Sequence, residues 1–188
     1  MSKPSHKIRI IGGQWRGRKL TVLNYTDLRP SSDRIRETLF NWLMPVINGA
    51  HCLDLFAGTG ALGIEAASRY ADKVVLIEKN PHIARHLQQQ IQSLKTDKIQ
   101  LINTDALYFL NKNMPKKFNI VFIDPPFNAK LLAPTLQALQ TAECLAPHAH
   151  IYIEQAVKQT IINYPKNWQL IKQKDTKQVS ARLFKLLD

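Results

Sequence analysis

The sequence predicts an α/β fold with a mostly parallel sheet covered by helices on both faces. Three observations carry that prediction. From residue 51 onward, short apolar runs rich in branched side chains alternate with stretches of helical periodicity. A glycine-rich loop, Gly58-Thr59-Gly60-Ala61-Leu62-Gly63, joins the first of those runs to the helix after it. The last two apolar segments are separated by too few residues for a helical crossover, so they close the sheet as an antiparallel hairpin.

The elements follow in order. Residues 8–23 alternate short apolar stretches with Gly12-Gly13 and Gly17, which predicts a small hairpin or ordered arm. Arg29-Pro30 ends that region, so residues 1–30 read as a basic arm and 31–188 as one compact domain. Ser31 or Ser32 is placed to cap a helix over about 33–47. Its apolar face is Ile35, Leu39, Trp42, Leu43, Val46 and Ile47. After Asn48-Gly49, strands are expected over 51–56, 73–78, 99–103, 118–123 and 149–154. Helices are expected over about 60–70, 81–95, 105–112 and 130–143. Residues 168–173 and 179–187 form the final hairpin, with a polar turn near Asp175.

Composition excludes several classes. No stretch approaches the roughly 20 apolar residues of a membrane span. The N-terminal lysines are not followed by an apolar signal core. Cys52 and Cys144 lack metal or redox spacing and sit among apolar neighbours, as in a reducing compartment. A cytoplasmic monomer with no membrane partner is expected. The net charge of +12 is unevenly spread. Residues 1–36 hold nine Lys/Arg against two Asp, and 166–188 hold six against two, whereas 37–165 hold eleven bases against ten acids. Clustered positive charge suits a polyphosphate partner such as nucleic acid, through release of counterions. A solvated tail kept soluble by charge is the alternative.

The residues that carry chemistry lie in the near-neutral middle. Asp124-Pro125-Pro126-Phe127 follows the buried-strand run Ile120-Val121-Phe122-Ile123. Two prolines continue neither a sheet ladder nor a helix interior, so the chain leaves the strand in a stiff extended loop. That loop offers a carboxylate, carbonyls without competing N–H groups, and an aromatic ring. Such parts suit a flat ring bearing an exocyclic amine, stacked on Phe127 and donating to Asp124 and the proline carbonyls. The second site runs from Asp54 through the glycine loop, with Glu78 ending the next strand, where a carboxylate grips ribose hydroxyls. Asp105, after the third strand, either borders an adenine ring or caps the helix that follows. Gly58-x-Gly60-x-x-Gly63 alone matches a dinucleotide fingerprint. However, Asp54 just upstream would serve a pyrophosphate poorly and a cationic sulfonium with its amino group well. No hydride-transfer residue accompanies the loop either. S-adenosylmethionine is the better fit.

The chain resembles the RsmD family, the small-subunit ribosomal RNA guanine-N2 methyltransferases that depend on S-adenosylmethionine. The resemblance covers nearly the whole length. It is carried by Arg9-Ile10-Ile11-Gly12-Gly13 with Arg16-Gly17-Arg18, and by the segment from Arg29-Pro30-Ser31-Ser32-Asp33-Arg34 to Leu43. The glycine loop, the Asp124 tetrapeptide and Gln178-Val179-Ser180-Ala181-Arg182-Leu183 continue it. Two positions depart from it: Thr59 stands where a serine is expected, and Tyr70 where a glycine should end the helix. The resemblance implies a Rossmann-like, seven-stranded sheet with the last strand antiparallel. It also implies that Asp54, Phe56, Ala57, Gly58, Thr59, Gly60, Glu78, Asp105 and Ala106 hold the cofactor. Asp124, Pro125, Pro126 and Phe127 would hold the target guanine of 16S rRNA, with the assembled small subunit as the implied substrate.

RNA contacts are expected from Lys7, Arg9, Arg16, Arg18, Lys19, Arg29, Arg34 and Arg36. Trp15 either stacks on a base or pins the arm to the body. Trp42 reads as core, and His82 and His86, on one helix face without a third ligand, read as solvated. Three rivals remain open at this point. A DNA adenine-N6 methyltransferase uses a similar tetrapeptide but needs a further recognition domain. A glutamine-N5 protein methyltransferase is disfavoured by Asp rather than Asn at 124. A non-enzymatic RNA-binding module leaves Asp54, Glu78 and Asp124 without a role.

Overall fold

The computed structural model describes residues 7–21, 33–112, 117–126, 130–157 and 163–187. In chain order the elements are β1 (Lys7–Arg9), β2 (Lys19–Thr21), α1 (Asp33–Leu43), β3 (His51–Asp54), α2 (Ala61–Ser68), β4 (Lys73–Glu78) and α3 (Pro81–Ser93). There follow β5 (Ile99–Asn103), α4 (Ala106–Leu110), β6 (Phe118–Ile123), α5 (Leu132–Thr141), β7 (Leu145–Ala156), β8 (Trp168–Asp175) and β9 (Val179–Leu186). Seven strands form one sheet in the order β5-β4-β3-β6-β7-β9-β8. The pairs from β5 to β7 are parallel, and β9 runs antiparallel to both of its neighbours. The expected topology, with only the last strand reversed, is the one observed.

Alternation along the strands sorts the core into two layers. Cys52, Val74, Leu76, Ile120, Phe122 and Tyr152 meet α1, α2 and α3 on one face. Leu53, Val75, Ile77, Val121, Ile123 and Ile151 meet α4 and α5 on the other. Such two-sided burial explains why these strands read as continuous apolar runs. Helix α1 stops at Leu43, short of the expected 47, because Pro45 disfavours helical backbone just before it. Helix α2 ends at Ser68, and Tyr70 just beyond it takes a left-handed φ of 71° where glycine would be unstrained. The Tyr70 N–H donates to the Ala67 carbonyl and the Ala71 N–H to that of Ala66, and the helix closes.

The hairpin β1–β2 is built into the body. Ile8, Ile10, Trp15 and Leu20 belong to the same core as α1 and α2. Glu65, fully buried on α2, accepts the N–H groups of Ile11 and Gly12 at 2.7 and 2.8 Å. Gly13 packs so closely that a Cβ there would lie 1.8 Å from the Ser68 carbonyl oxygen.

Two expectations about this region are corrected. Arg36 is not available to RNA. Its side chain is fully buried and donates to the Arg9 carbonyl at 3.0 Å and to Asp33 at 2.7 Å. Its Nη1 and Nε make no hydrogen bond among the described residues, and Glu65, 4.0 Å from Nη1, supplies the compensating charge. Trp15, 8% exposed, pins the arm and does not present a face to a base. Its backbone N–H donates to the Ser68 hydroxyl at 3.0 Å, which fixes the arm on α2. His86 also departs from its solvated reading, with Nε2 2.9 Å from the Thr21 carbonyl oxygen, which ties β2 to α3. Arg29, and Ser31 and Ser32, one of which is expected to cap α1, lie outside the described residues.

The hairpin's orientation matters. Its tip touches the last residues of two helices: Gln14 N–H donates to the Ser68 carbonyl, and Arg18 reaches that of Ser93. In parallel α/β units those helix ends lie at the amino edge of the sheet. The exposed Arg16 and Arg18 therefore stand away from the carboxyl edge, at about 20 Å, the length of thirteen helical residues.

Glu65→Ala removes the anion that holds both the hairpin backbone and Arg36. It should lower the unfolding free energy by about 3–5 kcal/mol, read by urea denaturation. The same variant should expose residues 10–18 to limited proteolysis.

Candidate active site

The five strands from β5 to β7 in the sheet each carry a carboxylate at or beside their carboxyl end. In sheet order these are Asp105 after β5, Glu78 on β4, Asp54 on β3, Asp124 after β6 and Glu154 on β7. Adjacent strands lie about 4.8 Å apart, so neighbouring acids share one edge. Asp54 is in register with Phe122, which puts Asp124 on the next strand and two residues farther out. The two motifs singled out in the sequence thus open on the same crevice. Sheet order also reverses direction between β3 and β6, the position at which open α/β sheets bind ligands.

Asp54 is 1% exposed. Its two oxygens accept the N–H groups of Phe56 and Gly63, each at 3.3 Å. Burial pushes its carboxyl up to about 7; the two N–H groups oppose the rise and the Glu78 charge adds to it. A carboxylate held this far from water and this close to neutrality is suited to meet a cation. Between Asp54 and α2 the chain turns through Gly60, whose φ of 77° begins the helix and whose N–H donates to the Ala57 carbonyl. Ala57 and Thr59 are buried, Phe56 and Gly58 half-buried.

Glu78 braces the loop from the next strand. One oxygen accepts the Gly58 N–H at 2.9 Å and the other the Asn80 N–H at 2.6 Å. Each carboxylate oxygen keeps a lone pair, which leaves acceptors for a diol. Asp105 caps α4, accepting from Leu107 and Tyr108, and pairs with Lys79 at 3.0 Å. Burial raises its carboxyl, but the Lys79 contact and the two N–H groups outweigh that and hold it below the ordinary range. Ala106, the first residue of α4, is buried beside it.

Asp124 is half-buried, Pro125 buried and Pro126 exposed, and Phe127 lies outside the described residues. Of the residues expected to face RNA, Lys7, Arg9, Arg16, Arg18, Lys19 and Arg34 are exposed. Glu154 was not singled out in the sequence. The signal was present, since like Glu78 it ends an apolar run, Ile151-Tyr152-Ile153. Among the described residues no group of three or more metal-ligating side chains is found, and no helix is long and apolar enough to cross a membrane.

Comparisons with known proteins give the family. The family described as Conserved hypothetical protein 95 matches residues 8–185. The chain belongs to that family. It is similar to ribosomal RNA small subunit methyltransferase D of Escherichia coli strain K12, with 48% identity over 98% of this chain and 94% of that protein. The corresponding protein of Haemophilus influenzae is 46% identical over 95% of this chain and 93% of its own. The solved structure of a putative methyltransferase, yhhF, from Escherichia coli superimposes with a TM-score of 0.88 at 45% identity, over 97% of this chain and 99% of that one. The family, the Rossmann-like fold, methyltransferase activity and the use of S-adenosylmethionine expected from the sequence are all borne out.

The residues present fit that cofactor. The buried Asp54 is matched to a cation and ill-suited to a pyrophosphate, and Glu78 retains acceptors for ribose hydroxyls. The sign of the pH effect follows. The Asp54 carboxyl is raised on folding, so the folded state holds a proton that the unfolded state has lost between about pH 4 and 7. Its contribution to stability therefore declines as pH rises through that window. Asp54→Asn should remove this part of the slope, read from urea midpoints at pH 4.5 and 8. A cationic ligand favours the ionised form, so S-adenosylmethionine should bind about tenfold more weakly at pH 6 than at pH 8. Calorimetric titration of Asp54→Asn should show that difference gone.

Proposed function

We propose that this protein methylates the exocyclic N2 amine of a guanine in 16S rRNA, acting as a cytoplasmic monomer on the assembled small subunit. The observation that carries the reading is the placement of Asp54 and Asp124 at the tips of adjacent parallel strands. Cofactor and target base are then neighbours across one crevice. The names of the similar proteins, small-subunit ribosomal RNA methyltransferases, support the class of RNA.

In this reading Asp54 seats the cofactor's cationic amino-acid end, Glu78 takes its ribose hydroxyls, and the backbone from Phe56 to Gly60 lies against it. Asp105 and Ala106 border the adenine. S-adenosylmethionine, when bound, supplies an electrophilic methyl group on a sulfonium. The protein's own task is to make a weak nucleophile competent. The lone pair of a guanine amine is conjugated with the ring. Asp124 and the Pro125 carbonyl accept its two N–H groups and favour a pyramidal nitrogen with the pair free. Pro125 and Pro126 carry no N–H to compete for those acceptors. Positioning supplies much of the rate, and Asp124 takes the proton released from nitrogen, directly or through water. Phe127 receives the base once it is splayed from its stack. Lys7, Arg9, Lys19, Arg29 and Arg34, with Arg16 and Arg18 at the far end, hold phosphates.

Labelled S-adenosylmethionine offered with unmethylated small subunits, naked 16S rRNA, duplex DNA and a release-factor-like protein tests the reading. Label recovered as N2-methylguanosine from subunits is expected. Label in DNA or protein would overturn it, and label in naked RNA would overturn the assembled-subunit part alone. Asp124→Ala should lower methyl transfer by at least about a hundredfold while S-adenosylmethionine affinity is kept.

A further inference from the structure

Glu154 is 3% exposed, and its carboxylate accepts the Tyr152 hydroxyl at 2.8 Å. The last registered pair of β6 and β7 is Ile123 with Ile153, so the next step along both strands sets Asp124 beside Glu154. Phe122 and Tyr152 meet on the face that packs α1, their ring centroids 6.4 Å apart, and residues two positions on share that face. Tyr152 feels both acids: burial raises its phenol well above its usual range, and the charges of Glu154 and then Asp124 raise it further. The phenol therefore stays protonated and serves as a donor that orients Glu154. It does not act as a base.

Two carboxylates on neighbouring strand tips make an acceptor-only surface. Guanine presents two adjacent donors on its Watson–Crick edge, N1–H and the N2 amine. Adenine presents a donor beside a bare N1 lone pair, and 2-aminopurine has the same lone pair beside its N2 amine. We propose that Glu154, oriented by Tyr152, accepts the N1–H of the target base while Asp124 holds the amine, so that this pair of acids makes the enzyme select guanine. The proposal rests on the reaction proposed above and deepens it. A base with a lone pair at N1 sets that lone pair against the Glu154 carboxylate instead of a donor, which is how polar sites reject analogues strongly.

The test uses small subunits reconstituted with guanine or 2-aminopurine at the position methylated in the preceding experiment. Wild-type protein should methylate the guanine substrate with a kcat/KM at least about a hundredfold higher. Glu154→Gln presents an amide that can accept from N1–H or donate to a bare N1. It should narrow that ratio to within about tenfold while S-adenosylmethionine affinity stays unchanged. An equal fall on both substrates would show that Glu154 only supports the fold and would overturn the proposal. Wild-type protein alone also decides the matter should Glu154→Gln fail to fold: equal use of both bases means that no acceptor faces N1. Failure of wild-type protein to form N2-methylguanosine would instead overturn the reaction itself, and this proposal with it.

Discussion

The geometry depends on the reversal of strand order between β3 and β6. To its left the chain winds through β4 to β5; to its right it continues to β7. Helices α2 and α3 therefore cover one face and α4 and α5 the other, and the helix connections part above the central pair of strands. That parting is the crevice. Asp54 is the acid committed to it most deeply, and the crevice is costly because Asp54 is ionised there only against burial. The two N–H groups from Phe56 and Gly63 lower that cost without removing it. A cation completes the offset.

The local charge opposes the global one. A chain of net charge +12 places Asp105, Glu78, Asp54, Asp124 and Glu154 along one edge of its sheet. Phosphates are repelled from such an edge, whereas a sulfonium, an ammonium and the amine-bearing edge of a base are attracted. The division of labour is electrostatic. Basic residues on the periphery suit the backbone of a nucleic acid, and the acidic edge suits only what has been turned out of it. A base that remained stacked would bring its phosphates with it.

Much of this was legible in the sequence. The strands over 73–78, 99–103 and 118–123 were placed as observed, because buried parallel strands are short branched runs that end at an acid or a breaker. Strand β7 was read as 149–154 but extends over Leu145–Ala156, since a register shift opposite Phe118 and the positive φ of His148 let Pro147 and His148 join it. Periodicity does not anticipate an irregularity of that kind. The paired carboxylates at 54 and 78 were visible because each ends an apolar run. Arg36 and Trp15 were not readable as buried. Their partners, Glu65 and Ser68, lie 29 and 53 residues away, and nothing local separates an arginine that meets a buried glutamate from one that meets solvent.

The sequence places positive charge at both of its ends, and the fold sends those ends to different places. Val179 pairs with Ala156 at the carboxyl edge, so the β8–β9 turn, with exposed Lys177, stands beside the crevice. The hairpin tip with Arg16 and Arg18 stands at the amino edge, about 20 Å off by the length of α3. A stem carrying the target base reaches the tip only by running along the body for that distance. Any phosphate held by Arg16 or Arg18 lies about that far from the crevice. The separation of the two basic surfaces therefore asks an RNA held by both to follow the body from one edge of the sheet to the other.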